Sequence, residues 1–142
     1  MKITNYTEYA LRTLMYINAQ SKESLVTVEE VANFYGLPMN HLKKIFWKLN
    51  ELGYINSVRG RNGGYHLDVN PQKVQLGDLI RKLENLELTS LVKNKVNAQF
   101  NHPCFLTMYV DEALSAFIEK MNQYTLEDLV ESNLSIPQKT CL

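Results

Sequence analysis

Between residues 42 and 67 this chain changes the period of its apolar residues. Leu42, Ile45, Phe46, Leu49 and Leu52 recur at steps of three and four, which gathers them on one face of an α-helix. Gly53 ends that pattern. "YINSV" and "YHLDV" follow as two strand-like segments with "RGRNGG" between them. Asn62-Gly63 offers residues that tolerate positive φ, so the expectation is a tight hairpin with Arg59 and Arg61 at its tip.

The residues upstream supply more helices. "TEYALRTLMYINA", residues 7–19, sets Tyr9, Leu11, Leu14, Met15 and Ile17 on or near one face. Thr27 with Glu30 reads as a capping box that opens the short helix "VEEVANFY", and Gly36 ends it. Pro38 suits the first turn of the next helix. Downstream, Pro71 ends the hairpin and "LGDLIRKLE" reads as a further helix. Residues 85–103 lack a clean period and read as a loop. The longest helix is expected over 104–121, and Thr125 with Asp128 caps a last short one, "LEDLVES".

The 15 basic and 15 acidic residues cancel, so no overall field points to a polyanion. The distribution says more. Between Pro38 and His66 stand Lys43, Lys44, Lys48, Arg59 and Arg61 against Glu51 alone. Glu8 and Arg12 interrupt the early apolar pattern, which argues against a secretory signal or a membrane span. Two cysteines, Cys104 and Cys141, make no disulfide framework, and a reducing cytoplasm is the expected compartment.

Helix, short helix, glycine turn, basic helix and hairpin, in that order, describe a winged helix-turn-helix. The basic helix would turn Leu42, Ile45, Phe46 and Leu49 inward. Outward it would present Asn40, His41, Lys43, Lys44 and Trp47 or Lys48. Asn and His can read base edges in a major groove while lysines neutralise phosphate. Arg59 and Arg61, with Asn62 beside them, suit the negative potential of a minor groove. Each part has a plainer reading: a solvated basic face, an ordinary turn, a half-buried Trp47. The combination in this order is what points to double-stranded DNA.

"NYTEYALRTLMYI", "VEEVANFYGLPMNHLKKIFWKLNELGYINSVRGRNGGYHL", "LGDLIRKLE" and "YTLEDLV" resemble the Rrf2 family of bacterial winged-helix regulators over residues 1–132. The resemblance implies a mainly α fold with a small β-hairpin. It divides the chain into a winged helix-turn-helix DNA-binding domain over 1–84, a sensor-type loop over 85–103, dimerisation helices over 104–132 and a flexible tail over 133–142. It implies a cytoplasmic homodimer on a pseudo-palindromic operator, acting as a repressor that answers a redox, nitric oxide or iron–sulfur signal. The residues agree on the dimer. Leu106, Val110, Ala113, Leu114, Phe117 and Met121 belong to a helix apolar nearly all round, more surface than one small domain can bury.

Family members of this kind carry three cysteines that ligate an iron–sulfur cluster. Here only Cys104 stands at such a position, while Ala98 and the neighbourhood of Val92 and Lys93 occupy the other two. His102 and Glu8 are the remaining candidate ligands, Glu8 matching an acidic family position. One thiolate per chain is poor scaffolding for a cluster, so the residues lead us to expect no cofactor, while the family resemblance keeps an iron–sulfur cluster as the alternative. Cys104 then reads either as a packing residue or as a redox or metal sensor. The rival functions are a cluster-free regulator controlled by a small molecule or protein partner, and a winged-helix interaction module. No paired carboxylates, phosphate-cradling glycine loop or Ser/His/Asp arrangement suggests an enzyme.

Overall fold

Thr4, rather than a residue inside the first apolar run, starts the fold. In the computed structural model, which describes residues 2–86 and 105–131, the Thr4 hydroxyl accepts a hydrogen bond from the Thr7 amide at 3.4 Å. It caps helix α1, Asn5–Ala19. His102, Cys104, the residues after Glu131 and all but the first two residues of the 85–103 segment lie outside the described residues. The chain forms two compact units, Met1–Val74 with Thr125–Leu142, and Gln75–Tyr124.

The buried stripe of α1 includes Ala10, Leu14 and Ile17 but also Thr7 and Thr13, while Tyr9, Leu11 and Met15 are only half-buried. Thr13 is tolerated there because its hydroxyl donates to the Tyr9 carbonyl one turn back, at 2.8 Å. Helix α2, Val28–Tyr35, opens on the expected capping box: the Glu30 amide donates to Thr27 Oγ1 at 3.2 Å, and the Thr27 amide donates to Glu30 Oε2 at 2.6 Å. Gly36, at φ 64°, takes the left-handed conformation that ends it. Helix α3 runs Met39–Glu51, so Pro38 precedes the first turn as the N-cap residue instead of standing inside it. Leu42, Ile45, Phe46 and Leu49 are fully buried.

Strands β1, Ile55–Val58, and β2, Gly64–Leu67, pair antiparallel, with Ile55 opposite Leu67 and Val58 opposite Gly64. The second strand is shorter than its sequence suggests, since Asp68 and Val69 fall outside it. The turn also differs from expectation. Positive φ falls on Gly60, at 127°, and on neither Asn62 nor Gly63. Gly63 is needed for closeness instead: a Cβ there would run into the Val58 carbonyl oxygen. Val26, just before α2, exchanges two 2.8 Å backbone hydrogen bonds with Tyr65, which ties the hairpin to the helical part of its unit.

A short 3₁₀ turn, Pro71–Lys73, follows. The second unit pairs α4, Leu76–Glu84, with α5, Phe105–Met121. Their approach is close enough that a Cβ on Gly77 would strike the Ile118 carbonyl. Asn122 fastens the joint: its Oδ1 accepts from the Asp78 amide at 2.9 Å and its Nδ2 donates to Asp78 Oδ1 at 3.1 Å.

Helix α6, Leu126–Glu131, completes the first unit. Leu126 is fully buried and its amide donates to the Val74 carbonyl at 2.9 Å. The Thr125–Asp128 cap forms as expected, with the Thr125 amide on Asp128 Oδ2 at 2.7 Å. Among the described residues, no helix is long and apolar enough to cross a membrane.

Candidate nucleic-acid interface

Because Leu42, Ile45, Phe46 and Leu49 all turn into the core, helical geometry forces Asn40, Lys43, Lys44 and Trp47 onto the opposite face, and all four are exposed. His41 is also exposed, at the edge of this face, where its ring stacks against Tyr9 of α1 with centroids 6.4 Å apart. Lys48 is half-buried. Its Nζ bonds Glu51 Oε2 at 2.7 Å, and that hydrogen bond holds the ammonium above its usual pKa range. Lys43 and Lys44 have no such carboxylate partner among the described residues.

Lys43, Lys44, Trp47 and Lys48 line one shallow hollow with Tyr6 of α1. Burial raises the Tyr6 pKa, with the Lys48 charge opposing and the Glu51 charge adding to the rise. Sequence reasoning misses Tyr6 and Tyr9 as site residues because the apolar stripe of α1 marks that helix as scaffold. Their three-residue spacing, with both rings at the helix start, is the signal that could find them.

Arg59, Arg61 and Asn62 are exposed at the hairpin tip. The hairpin is anchored from its second strand, where Tyr65 meets Phe46 of α3 ring to ring. One unit therefore carries a cationic helix face and a cationic hairpin tip on a shared apolar scaffold. A rigid rod with basic and amide side chains, beside a narrow basic ribbon, has the chemistry to neutralise phosphates and to read base edges.

Glu8 is bound elsewhere. Its Oε1 accepts from Arg12 Nη2 at 2.8 Å and from Arg12 Nε at 3.1 Å. The same guanidinium lies 5.4 Å from the centre of the Tyr35 ring. Tyr35 packs against Phe34 and Tyr16, and its buried hydroxyl has no hydrogen-bond partner among the described residues.

Residues 3–132 match the family model for Rrf2, described as an iron-dependent transcriptional regulator. The chain belongs to the Rrf2 family. Among Rrf2-type relatives, it is 39% identical over 132 residues to the HTH-type transcriptional regulator NsrR of Halalkalibacterium halodurans, covering 92% of this chain and 90% of that one. It is 36% identical over 132 residues to NsrR of Bacillus licheniformis, covering 92% of each. The solved structure of CymR, the global cysteine regulator of Bacillus subtilis, superposes with a TM-score of 0.72 at 24% identity, covering 93% of this chain and 98% of that one. That match shows the same mainly helical, winged fold.

The Rrf2 family is described as iron-dependent, and a thiolate-held cluster would have few cysteines to draw on here. Such clusters draw on several cysteines; this chain has two, Cys104 and the distant Cys141. Glu8 is paired with Arg12 at the surface. Among the described residues, no group of three His, Cys, Asp or Glu side chains is arranged to hold a metal.

Proposed function

We propose that this Rrf2-family transcriptional regulator is a cytoplasmic, homodimeric repressor that binds a pseudo-palindromic DNA operator, with α3 in the major groove and the hairpin as a wing in the adjacent minor groove. The observation that carries the reading is the outward stripe of α3, where Lys43 and Lys44 stand exposed over four fully buried apolar residues. In this reading Asn40 and His41 contact base edges, the lysines contact phosphates, and Arg59, Arg61 and Asn62 enter the minor groove. No catalytic step is assigned to the chain.

The dimer is assigned to α5. Leu106 is 68% exposed in the single chain, and Phe105, Met108, Tyr109 and Val110 beside it are exposed as well. Ala113 is exposed, while Leu114, Phe117 and Met121 are half-buried. A contiguous apolar row of this kind is a surface that a second copy covers. The signal belongs to the redox class (oxidant, nitric oxide or iron–sulfur status), and the ligand inventory favours reading it without a resident cluster. DNA binding is assigned to residues 1–84, sensing to 85–103 and dimerisation to 104–132.

A duplex selected by the protein from a random library tests this by fluorescence anisotropy. Binding should exceed that of a scrambled duplex by at least about a thousandfold, and Lys43→Ala with Lys44→Ala should weaken both. Equal affinity for selected and scrambled duplexes contradicts a sequence-specific regulator.

A further inference from the structure

Phosphate neutralisation leaves one group on the α3 stripe unused. Trp47 is 64% exposed and is the chain's one tryptophan. Large aromatic rings displayed among charged residues mark surfaces that a partner covers. The hollow around Trp47 has a definite chemistry. It is lined, mostly through apolar atoms, by Trp47, Tyr6, Lys43, Lys44 and Lys48, and long lysine stems commonly cover apolar surface while their charged heads stay in water. The acid of this helix face, Glu51, is bound to Lys48. A mostly apolar hollow with three lysines among its lining residues suits a small apolar group flanked by anions.

DNA offers such a group in the major groove: the C5-methyl of thymine, the one apolar feature on a base edge there, between phosphates on either side. We propose that Trp47 is a specificity-determining residue, its indole and Tyr6 receiving a thymine methyl group while Lys43 and Lys44 hold the neighbouring phosphates. This rests on the DNA-binding reading and adds to it a base identity. Trp47 lies seven residues beyond Asn40 on the same face, about 10 Å along the helix axis. The thymine is therefore a different base from the one that Asn40 contacts.

The test uses a duplex selected by the wild-type protein, with its thymines replaced one at a time by deoxyuridine, which removes only the methyl group. At one position in each half-site, wild-type affinity should fall about fourfold. Trp47→Ala should bind the thymine and deoxyuridine duplexes alike, and Trp47→Phe should restore the preference. The emission of the single tryptophan should shift on binding the parent duplex. If every deoxyuridine duplex binds as tightly as its parent, or the emission ignores a duplex that anisotropy shows to be bound, the Trp47 assignment is overturned while the DNA reading stands. If no duplex is selected at all, both are overturned, and the hollow belongs to a protein partner.

Discussion

Phe46 of α3 and Tyr65 of β2 meet edge to face, their ring centroids 4.9 Å apart at an interplanar angle of 62°. This pair joins the helix that would lie in the major groove to the hairpin that would enter the minor groove. Phe46 is fully buried, so truncation removes both its own burial and the seat of the hairpin. Phe46→Ala should cost about 3–5 kcal/mol, read from the urea midpoint at unchanged slope. A change below about 1 kcal/mol would mean that the hairpin stands on other supports.

Gly63 tests the hairpin turn separately. The clash of an added Cβ with the Val58 carbonyl involves backbone that cannot step aside as a side chain can. Gly63→Ala should therefore distort the tip, lowering DNA affinity about tenfold or more, while helical circular dichroism stays unchanged. Asn62→Ala, at ordinary φ, should leave the turn and the urea midpoint intact, whatever DNA contact it removes. Equal losses of urea midpoint in the two variants would contradict the turn described here.

Of the three tyrosines whose pKa burial raises, Tyr16 and Tyr35 pack edge to face and share a defined pH response, to which Tyr6 adds. Burial raises the Tyr35 pKa, with Arg12 opposing and Tyr16 adding; burial also raises that of Tyr16, with Glu30 adding. Below about pH 10 both are protonated in folded and unfolded chains alike, so their contribution is complete and flat. Above it the unfolded chain releases these protons first, and stability falls until the raised folded values are passed. Urea midpoints should be level from about pH 8 to about pH 9.5 and drop beyond about pH 10, with a smaller drop in Tyr35→Phe. An equal drop in that variant would show that Tyr35 plays no part in the response.

The Glu8–Arg12 pair is exposed, so it adds at most about 1 kcal/mol. Glu8→Ala should change the melting midpoint little. Protein purified without oxygen should contain far less than one iron per chain, and Glu8→Ala should not alter that. Stoichiometric iron and sulfide would refute the cluster-free reading, and their loss from Glu8→Ala would make Glu8 a ligand.

Much of the fold is legible in the sequence where local signals decide the outcome. The capping pairs Thr27–Glu30 and Thr125–Asp128 mark helix starts because their hydrogen bonds span only three residues. The inward set of α3 follows from spacing alone. Elsewhere a tertiary contact decides. Asn62-Gly63 looks like the positive-φ element of the turn, yet Gly60 takes that role, and Gly63 is required by the approach of Val58. Thr7 and Thr13 look polar enough to face water, but the Thr4 cap and the Tyr9 carbonyl absorb their hydrogen bonds and let α1 bury them. The hollow formed by Tyr6 and Trp47 needs two helices packed together, and no single segment announces it.

The salt dependence of operator binding probes the interface most directly, comparing wild type with Arg59→Ala/Arg61→Ala. Removing one arginine charge from the minor groove should flatten the slope of log affinity against log salt by up to about 0.9, because fewer counterions are released. The double variant should give a weaker and visibly flatter line. Superimposable lines would show that the hairpin tip never touches DNA.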